Sequence, residues 1–216
     1  MRLFDRIAQA SMLRFRPRRL QLFYEALGIR EDTRVLDMGG TTHLWNLASA
    51  KGLPLPRVTI LNTRHPGPKP LPAYTTWVVG DAKRTPFDDF SFDVVVSNSL
   101  IEHLGDWESQ RIFAREVRRL APSYFIQTPN RRFPIEIHFM TPLIHWLPKP
   151  VQRLLVRNFT VWGVLQRPSP EVVDAVIAEI RLLNRKEMTE LFPDANILRE
   201  KFAGLSKSIL ACRKSD

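Results

Sequence analysis

The chain has almost no cysteine: one thiol, Cys212, among 216 residues. A lone thiol excludes an internal disulfide and any cysteine-built metal cluster. It sits in an apolar run near the C-terminus and reads as a core filler, compatible with a cytoplasmic setting; no metal site is expected. No stretch approaches the ~20 apolar residues that span a bilayer. The opening MRLFDRIAQASMLRFRPRRL holds no unbroken apolar segment of the secretory-signal kind. Acidic side chains are few beside basic ones, 22 against 32, which leaves a net charge of +10. That excess suits an anionic partner, such as nucleic acid, an acidic membrane surface or a phosphorylated substrate, or else a plain basic surface. Repeats and low-complexity tails are missing too. With 44% apolar and 25% charged residues, the chain has the makeup of one globular domain with a sizeable core.

The organising stretch is Gly80 to Leu104, GDAKRTPFDDFSFDVVVSNSLIEHL. Phe92–Asn98 carries three consecutive valines, which suit a strand buried on both faces of a parallel sheet. It runs straight into Ser99-Leu100-Ile101-Glu102-His103-Leu104, so polar and ionisable groups stand at the strand end where open α/β sheets bind ligands.

Around it, residues 1–28 read as two basic amphipathic helices separated near Pro17 and stopped at Gly28. Leu3, Phe4, Ile7 and Ala8, then Leu20, Phe23 and Leu27, form the apolar faces. Arg2, Arg6, Arg14, Arg16, Arg18 and Arg19 lie opposite, facing water or an anionic membrane. Thr33–Met38 reads as a strand, Gly39-Gly40-Thr41-Thr42 as a ligand-approach turn, and His43–Lys51 as a helix. Strands follow at Arg57–Asn62, at Thr75–Val79 after a stiff proline-rich loop, and at Ser123–Thr128. Asp106 caps a helix over Trp107–Leu120. Strands alternating with helices or crossover loops predict a parallel, doubly wound sheet. Residues 129–185 are too long for a simple crossover and read as a helical cap. Short helices there are marked by Thr141-Pro142 and Pro150. A longer one starts at Ser169-Pro170 and turns Val172, Val176, Ile180 and Leu183 inward. Phe139, Leu143, Ile144, Trp146, Leu147, Leu154 and Leu155 are expected as core contacts of the cap, with a lipid-facing surface as the sharper alternative. Arg185–Phe192 is a last helix, and Asn196–Phe202 with Leu205–Arg213 an antiparallel hairpin turning at Ala203-Gly204. The domain thus divides into N-terminal helices (1–28), a core (30–128), a cap (129–185) and a terminal helix with hairpin (186–216).

Five alternating strands and a terminal hairpin, with Gly80-Asp81-Ala82, Pro86-Phe87, Ser91-Phe92-Asp93, Val95-Val96-Ser97-Asn98 and Ile101-Glu102-His103-Leu104, resemble the class I S-adenosylmethionine-dependent methyltransferases. The subgroup resembled is methyltransferase type 11, over roughly residues 30–128 and the hairpin. The resemblance implies a Rossmann-like, doubly wound seven-stranded α/β sheet and S-adenosylmethionine as cofactor. It places Asp37, Gly39 and Gly40 at the methionyl end, Asn62 at the ribose, Asp81 and Ala82 at the adenine, and Asn98 and Ser99 beside the sulfonium. Two departures weaken the cradle: Thr41 and His43 replace family glycines, and Asn62 replaces the acid that grips the ribose.

His103 is the catalytic base candidate by position and intrinsic pKa range. Asn130, Arg131, Glu136 and His138 follow the fifth strand and are placed to meet the acceptor. No Asn-Pro-Pro-aromatic run follows the fourth strand, so the reading is transfer to oxygen or carbon of a small or lipid- or saccharide-linked acceptor. Expected partners are that acceptor and peripheral contact with an anionic membrane. The competing readings are an RNA methyltransferase, a cofactor-dead binding protein and, last, an NAD-dependent dehydrogenase, which the missing G-x-G-x-x-G turn opposes.

Overall fold

The structure, a computed structural model, describes residues 3–68 and 70–215, with side chains described from Phe15 onward. In chain order the elements are α1 (Leu3–Leu27), β1 (Arg34–Met38), α2 (Thr42–Ala50), β2 (Arg57–Asn62), β3 (Thr75–Val79) and β4 (Val94–Asn98). Next come α3 (Trp107–Leu120), β5 (Ser123–Pro129), β6 (Ile135–Glu136), β7 (Thr141–Pro142), α4 (Lys149–Phe159) and α5 (Val161–Gln166). The chain closes with α6 (Pro170–Glu179), α7 (Arg185–Leu191), β8 (Asn196–Phe202) and β9 (Leu205–Arg213).

Seven strands form one sheet in the order β3-β2-β1-β4-β5-β9-β8. The first five run parallel, with Val35 opposite both Val58 and Val94, and Val95 opposite Tyr124. β9 then pairs antiparallel with β5 and β8. The β-branched runs settle on the central strands, where helices cover both faces: Val94 to Ser97 and all of β5 are buried. Winding reverses between β1 and β4, so a crevice opens beyond their C-terminal ends. α3 buries Phe113, Val117 and Leu120 on one face, and Asp106 Oδ1 accepts from the Ser109 N–H at 2.7 Å to start it.

The N-terminal segment is one helix rather than two, with Pro17 inside it. An interior proline costs about 3 kcal/mol. Burial of Phe15, Leu20, Phe23 and Leu27, at about 1.5–3 kcal/mol each, outweighs that. The helix stops at Gly28, whose φ of 64° lets its N–H reach the Tyr24 carbonyl at 2.8 Å. Arg2 lies outside the described residues, and the side chains of Leu3, Phe4, Ile7, Ala8, Arg6 and Arg14 outside the described side chains.

The cap departs further from expectation. Thr141-Pro142 is not a helix start but strand β7, paired with β6; proline is tolerated there because the strand is an edge. In α6, Ser169 and Pro170 set the helical phase one residue later than expected. Val173 and Ile177 are buried while Val172 is 46% exposed. Val176, Ile180 and Leu183 do turn inward as expected, Val176 and Ile180 partly buried against the cap's core and Leu183 fully buried. Ile180 and Leu183 fall beyond the helix end, however, and Leu183 bridges to Asn130. A satellite core joins Phe139, Ile144, Val156, Val173 and Ile177, with Leu155 partly buried against it. Leu143, Trp146, Leu147 and Leu154, expected in that core, are 37% to 74% exposed. Leu143, Trp146 and Leu147 precede α4, and Leu154 lies within it, where only Val156 is buried, at the crossing with α5. Gly163 permits that crossing, since a Cβ there would lie 2.0 Å from the Val156 carbonyl oxygen.

No helix of the described residues is long and apolar enough to cross a membrane.

Candidate active site

Asp37 is the penultimate residue of β1, and the sheet register points its carboxylate beneath the following turn. It is 1% exposed; Oδ2 accepts from the Trp45 indole N–H at 2.9 Å, and Oδ1 has no partner among the described residues. Burial pushes its pKa up from 3.8 to about 7, against the opposing pull of the Trp45 hydrogen bond. The turn is moulded around this group: a Cβ on Gly40 would lie 2.0 Å from Asp37 Oδ2, so only glycine fits. Gly39 has φ 76° and is covered by the Leu100 side chain. Asn62, at the end of β2, donates Nδ2 to the carbonyls of Gly40 (2.9 Å) and Gly39 (3.4 Å), and Oδ1 accepts from the Arg64 N–H. Its amide therefore clamps the turn. Asp81 stays exposed; Oδ1 accepts from the Lys83 N–H at 2.9 Å, and Ala82 beside it is buried.

These groups fit an S-adenosylmethionine at both ends. A buried carboxylate with an orphan oxygen matches a methionyl ammonium, and an open carboxylate just beyond β3 matches an exocyclic amine. At the ribose position the fit is poorer, because Asn62 already holds the turn.

A cavity of about 790 Å³ opens over the ends of β4 and β5. Of the expected cofactor residues it touches Asn98 and Ser99, not Asp37, Gly39, Asn62 or Asp81. It therefore lies beside the expected cofactor residues, towards the segment that follows β5. Phe133, Ile135, Ile137, Phe139, Met140 and Trp162 give it a broad apolar wall, and α1 closes one end with Phe15, Arg16 and Arg19. Its polar edge holds two imidazoles. His103 Nδ1 lies 2.8 Å from Glu179 Oε1, and His138 Nδ1 lies 2.6 Å from Glu136 Oε1. Facing a carboxylate, each Nδ1 is the donor, so in the neutral imidazole the lone pair is on Nε2. The rings meet edge to face with centroids 4.9 Å apart. Burial disfavours charge on His138, but the hydrogen bond and field of Glu136, helped by Glu102 and Glu179, outweigh it and raise its pKa. Glu136 is itself fixed, Oε2 accepting from the Phe139 N–H at 2.6 Å. Glu102 is fully buried behind the pair and accepts from Thr128 Oγ1 at 3.0 Å. Ligand atoms of Glu102, His103 and His138 come within 4.8 Å of one another, so this is where the described residues could hold a metal ion.

The structure brings Asn98, Ser99, His103 and His138 together on one cavity and sets Glu136 behind His138. Asn130 and Arg131 lie elsewhere. Asn130 donates to the Ser206 carbonyl and accepts from the Arg132 N–H, while the Arg131 guanidinium reaches Glu187 at 3.5 Å. Their work is to fix the loop leaving β5. Arg19, expected on a solvated face, is instead a strut. Its guanidinium bonds Asn98, Gln127 at 2.6 Å and Glu200 at 2.7 Å, tying α1 across the sheet ends. Its position between Phe15 and Phe23, four residues from each, is the available signal that it shares their buried face. Glu179 and Trp162 carry no such signal, since only the fold of the cap brings α5 and α6 over β4.

The sequence profile of a family described as a methyltransferase domain matches residues 55–123. Among solved structures, the chain resembles a Burkholderia thailandensis 1,6-didemethyltoxoflavin-N1-methyltransferase, bound to 1,6-didemethyltoxoflavin and S-adenosylhomocysteine. Identity is 15% over 93% of this chain and 78% of that one, at a TM-score of 0.55. A SAM-dependent methyltransferase from Methanosarcina mazei matches at 17% identity over 90% and 98%, with a TM-score of 0.50. A Haemonchus contortus phosphoethanolamine N-methyltransferase in complex with S-adenosyl-L-methionine matches at 15% identity over 85% of this chain and 38% of that one, with a TM-score of 0.55. At these identities the structures speak for the fold. No curated protein matches the chain by sequence.

Proposed function

We propose that the chain is a class I S-adenosylmethionine-dependent methyltransferase of the type 11 kind, and that it transfers the methyl group to a hydroxyl oxygen on an acceptor with a large apolar part. The observation that carries this reading is the apolar cavity edged by an imidazole held on a carboxylate, His103 on Glu179. When bound, the cofactor supplies an electrophilic methyl group on sulfur. Asp37 takes the methionyl ammonium, Gly39 and Gly40 let it approach the backbone, and Asp81 beside Ala82 takes the adenine amine. Asn98 and Ser99 wall the reacting end. The apolar wall aligns the acceptor, and such alignment is the larger part of what this displacement asks of a protein.

A neutral hydroxyl must lose its proton as it attacks. His103 Nε2 accepts it as the O–H bond breaks, and the oxygen's electron pair forms the new bond to carbon. Glu179 holds the resulting imidazolium and, being 53% exposed, gives the proton a way to water. The segment 129–185 acts as the acceptor's cap, supplying His138, Trp162 and Glu179.

Calorimetric titration with S-adenosylmethionine and S-adenosylhomocysteine tests the premise. The expected result is micromolar binding that weakens roughly tenfold or more in Asp81→Ala, the scale of one hydrogen bond to a charged group. No heat at millimolar ligand would overturn the enzyme reading and leave a methyltransferase fold used for binding alone.

A further inference from the structure

The cap leaves an apolar face uncovered. Of the fifteen exposed large hydrophobic side chains among the described residues, ten lie between residues 143 and 172. The strongest are Leu154 at 74% and Phe159 at 71%, both on α4; Trp146 is exposed before its start, Val151 in its first turn, and Val164 and Leu165 on α5. Such concentration marks an interaction surface rather than scattered exposure. Acid is scarce in the same stretch: no aspartate or glutamate occurs from residue 137 to residue 170, Glu171 being the first, while Lys149, Arg153, Arg157 and Arg167 all do. All four are exposed, and Arg153 alone has an ion pair to an acid, Asp174 at 3.0 Å, among the described residues.

We propose that this face docks on an anionic lipid bilayer, with α4 and α5 lying in the headgroup layer. Two observations select that occupant. Apolar side chains flanked by cations, with Trp146 among them, have the chemistry of an interfacial helix, and basic residues gain most against anionic lipid. A second copy fits worse, because a two-fold contact would set four cations against their own symmetry mates with only Glu171 and Asp174, already beside Arg157 and Arg153, to offset them. One of its helices also reaches the cavity. Trp162 of α5 lines the cavity, while its neighbours Val161, Val164 and Leu165 point outward. An acceptor with an apolar tail thus has a short path from the bilayer to His103. This last step rests on the reading of the acceptor given above; the docking surface does not.

The test is co-sedimentation of the full chain with vesicles of phosphatidylcholine alone and of phosphatidylcholine mixed with phosphatidylglycerol, without cofactor or acceptor. Binding is expected on the mixed vesicles and not on the neutral ones, and it should weaken as salt rises. The pair Leu154→Glu and Phe159→Glu should cut it more than tenfold, and Lys149→Ser with Arg157→Ser should cut it several-fold. Both pairs change exposed positions, so melting temperature and S-adenosylhomocysteine binding should hold. Absence of binding to the mixed vesicles overturns the proposal, and so does binding that both variant pairs leave intact. A dimer in light scattering that Leu154→Glu and Phe159→Glu abolish assigns the face to a second copy and overturns it as well. Loss of cofactor binding in the parent protein would undo the methyltransferase reading without touching this one.

Discussion

Asp37→Asn should make the cofactor-free protein more stable at about pH 8, with the gain shrinking away as pH falls to about 4. Asp37 has a folded-state pKa of about 7 against an ordinary 3.8. A carboxyl shifted upward is stable in its neutral form, so the contribution is fully present below the unfolded pKa. It is lost as pH climbs towards and through the folded one. The window therefore runs from about 4 to about 7, and above it the protein carries a buried charge whose Oδ1 has no partner. The rise from 3.8 to about 7 sets an upper bound of about 4 kcal/mol, and relaxation around the site brings the expectation to roughly 1–3 kcal/mol. Asparagine keeps an oxygen for the Trp45 indole and removes the charge. On the proposal that Asp37 takes the cofactor's ammonium, cofactor affinity in the variant should fall more than tenfold. In the parent, S-adenosylhomocysteine should raise the melting temperature more at high pH than at low pH; in the variant that pH dependence should flatten. Thermal melts across pH, with and without ligand, decide it. Parallel curves for parent and variant would mean that Asp37 keeps its proton and serves only to shape the turn.

The core of the sheet was open to reading from sequence because local pattern and burial agree there. The valines of β4 and the runs of β1, β2 and β3 fall within a residue or two of their expected limits, and the Asp106 cap and the Ala203-Gly204 turn stand where their chemistry put them. The cap was harder for a physical reason. Its apolar residues outnumber the inward positions that short helices offer, so composition alone could not separate Ile144, which is buried, from Leu154, which is not. In α6 the cap at Ser169 fixed the phase, and periodicity read without it chose Val172 over Val173. At the site, residues at the strand ends could be placed from topology: Asp37, Asn62, Asp81 and Asn98 each stand at a C-terminal edge. What their side chains hold could not. Asn62 spends its amide on the glycine turn, and Asn98 meets an arginine from a helix 79 residues earlier in the chain.

His103→Ala should lower kcat by about 10²–10⁴, the range expected for removing a positioned general base. Turnover would be followed as S-adenosylhomocysteine released, with an acceptor first found by screening hydroxyl-bearing lipid extracts. The split between parameters is what makes the result specific. His103 stands at the polar edge of a cavity whose contacts are mostly apolar, so KM for the acceptor should change little. Cofactor affinity should be unchanged, since Asp37, Gly40 and Asp81 lie outside that cavity. Glu179→Gln should cost less, because an amide oxygen still accepts from Nδ1 at the same 2.8 Å position but no longer stabilises the imidazolium. The order His103→Ala below Glu179→Gln below parent in kcat, at constant cofactor affinity, would identify His103 as the base and Glu179 as the residue that positions it. If His103→Ala instead raised KM and left kcat alone, the imidazole would be part of the acceptor's binding wall. His138, whose ring meets His103 edge to face and whose Nδ1 is already held by Glu136, would then be the remaining imidazole able to take the proton.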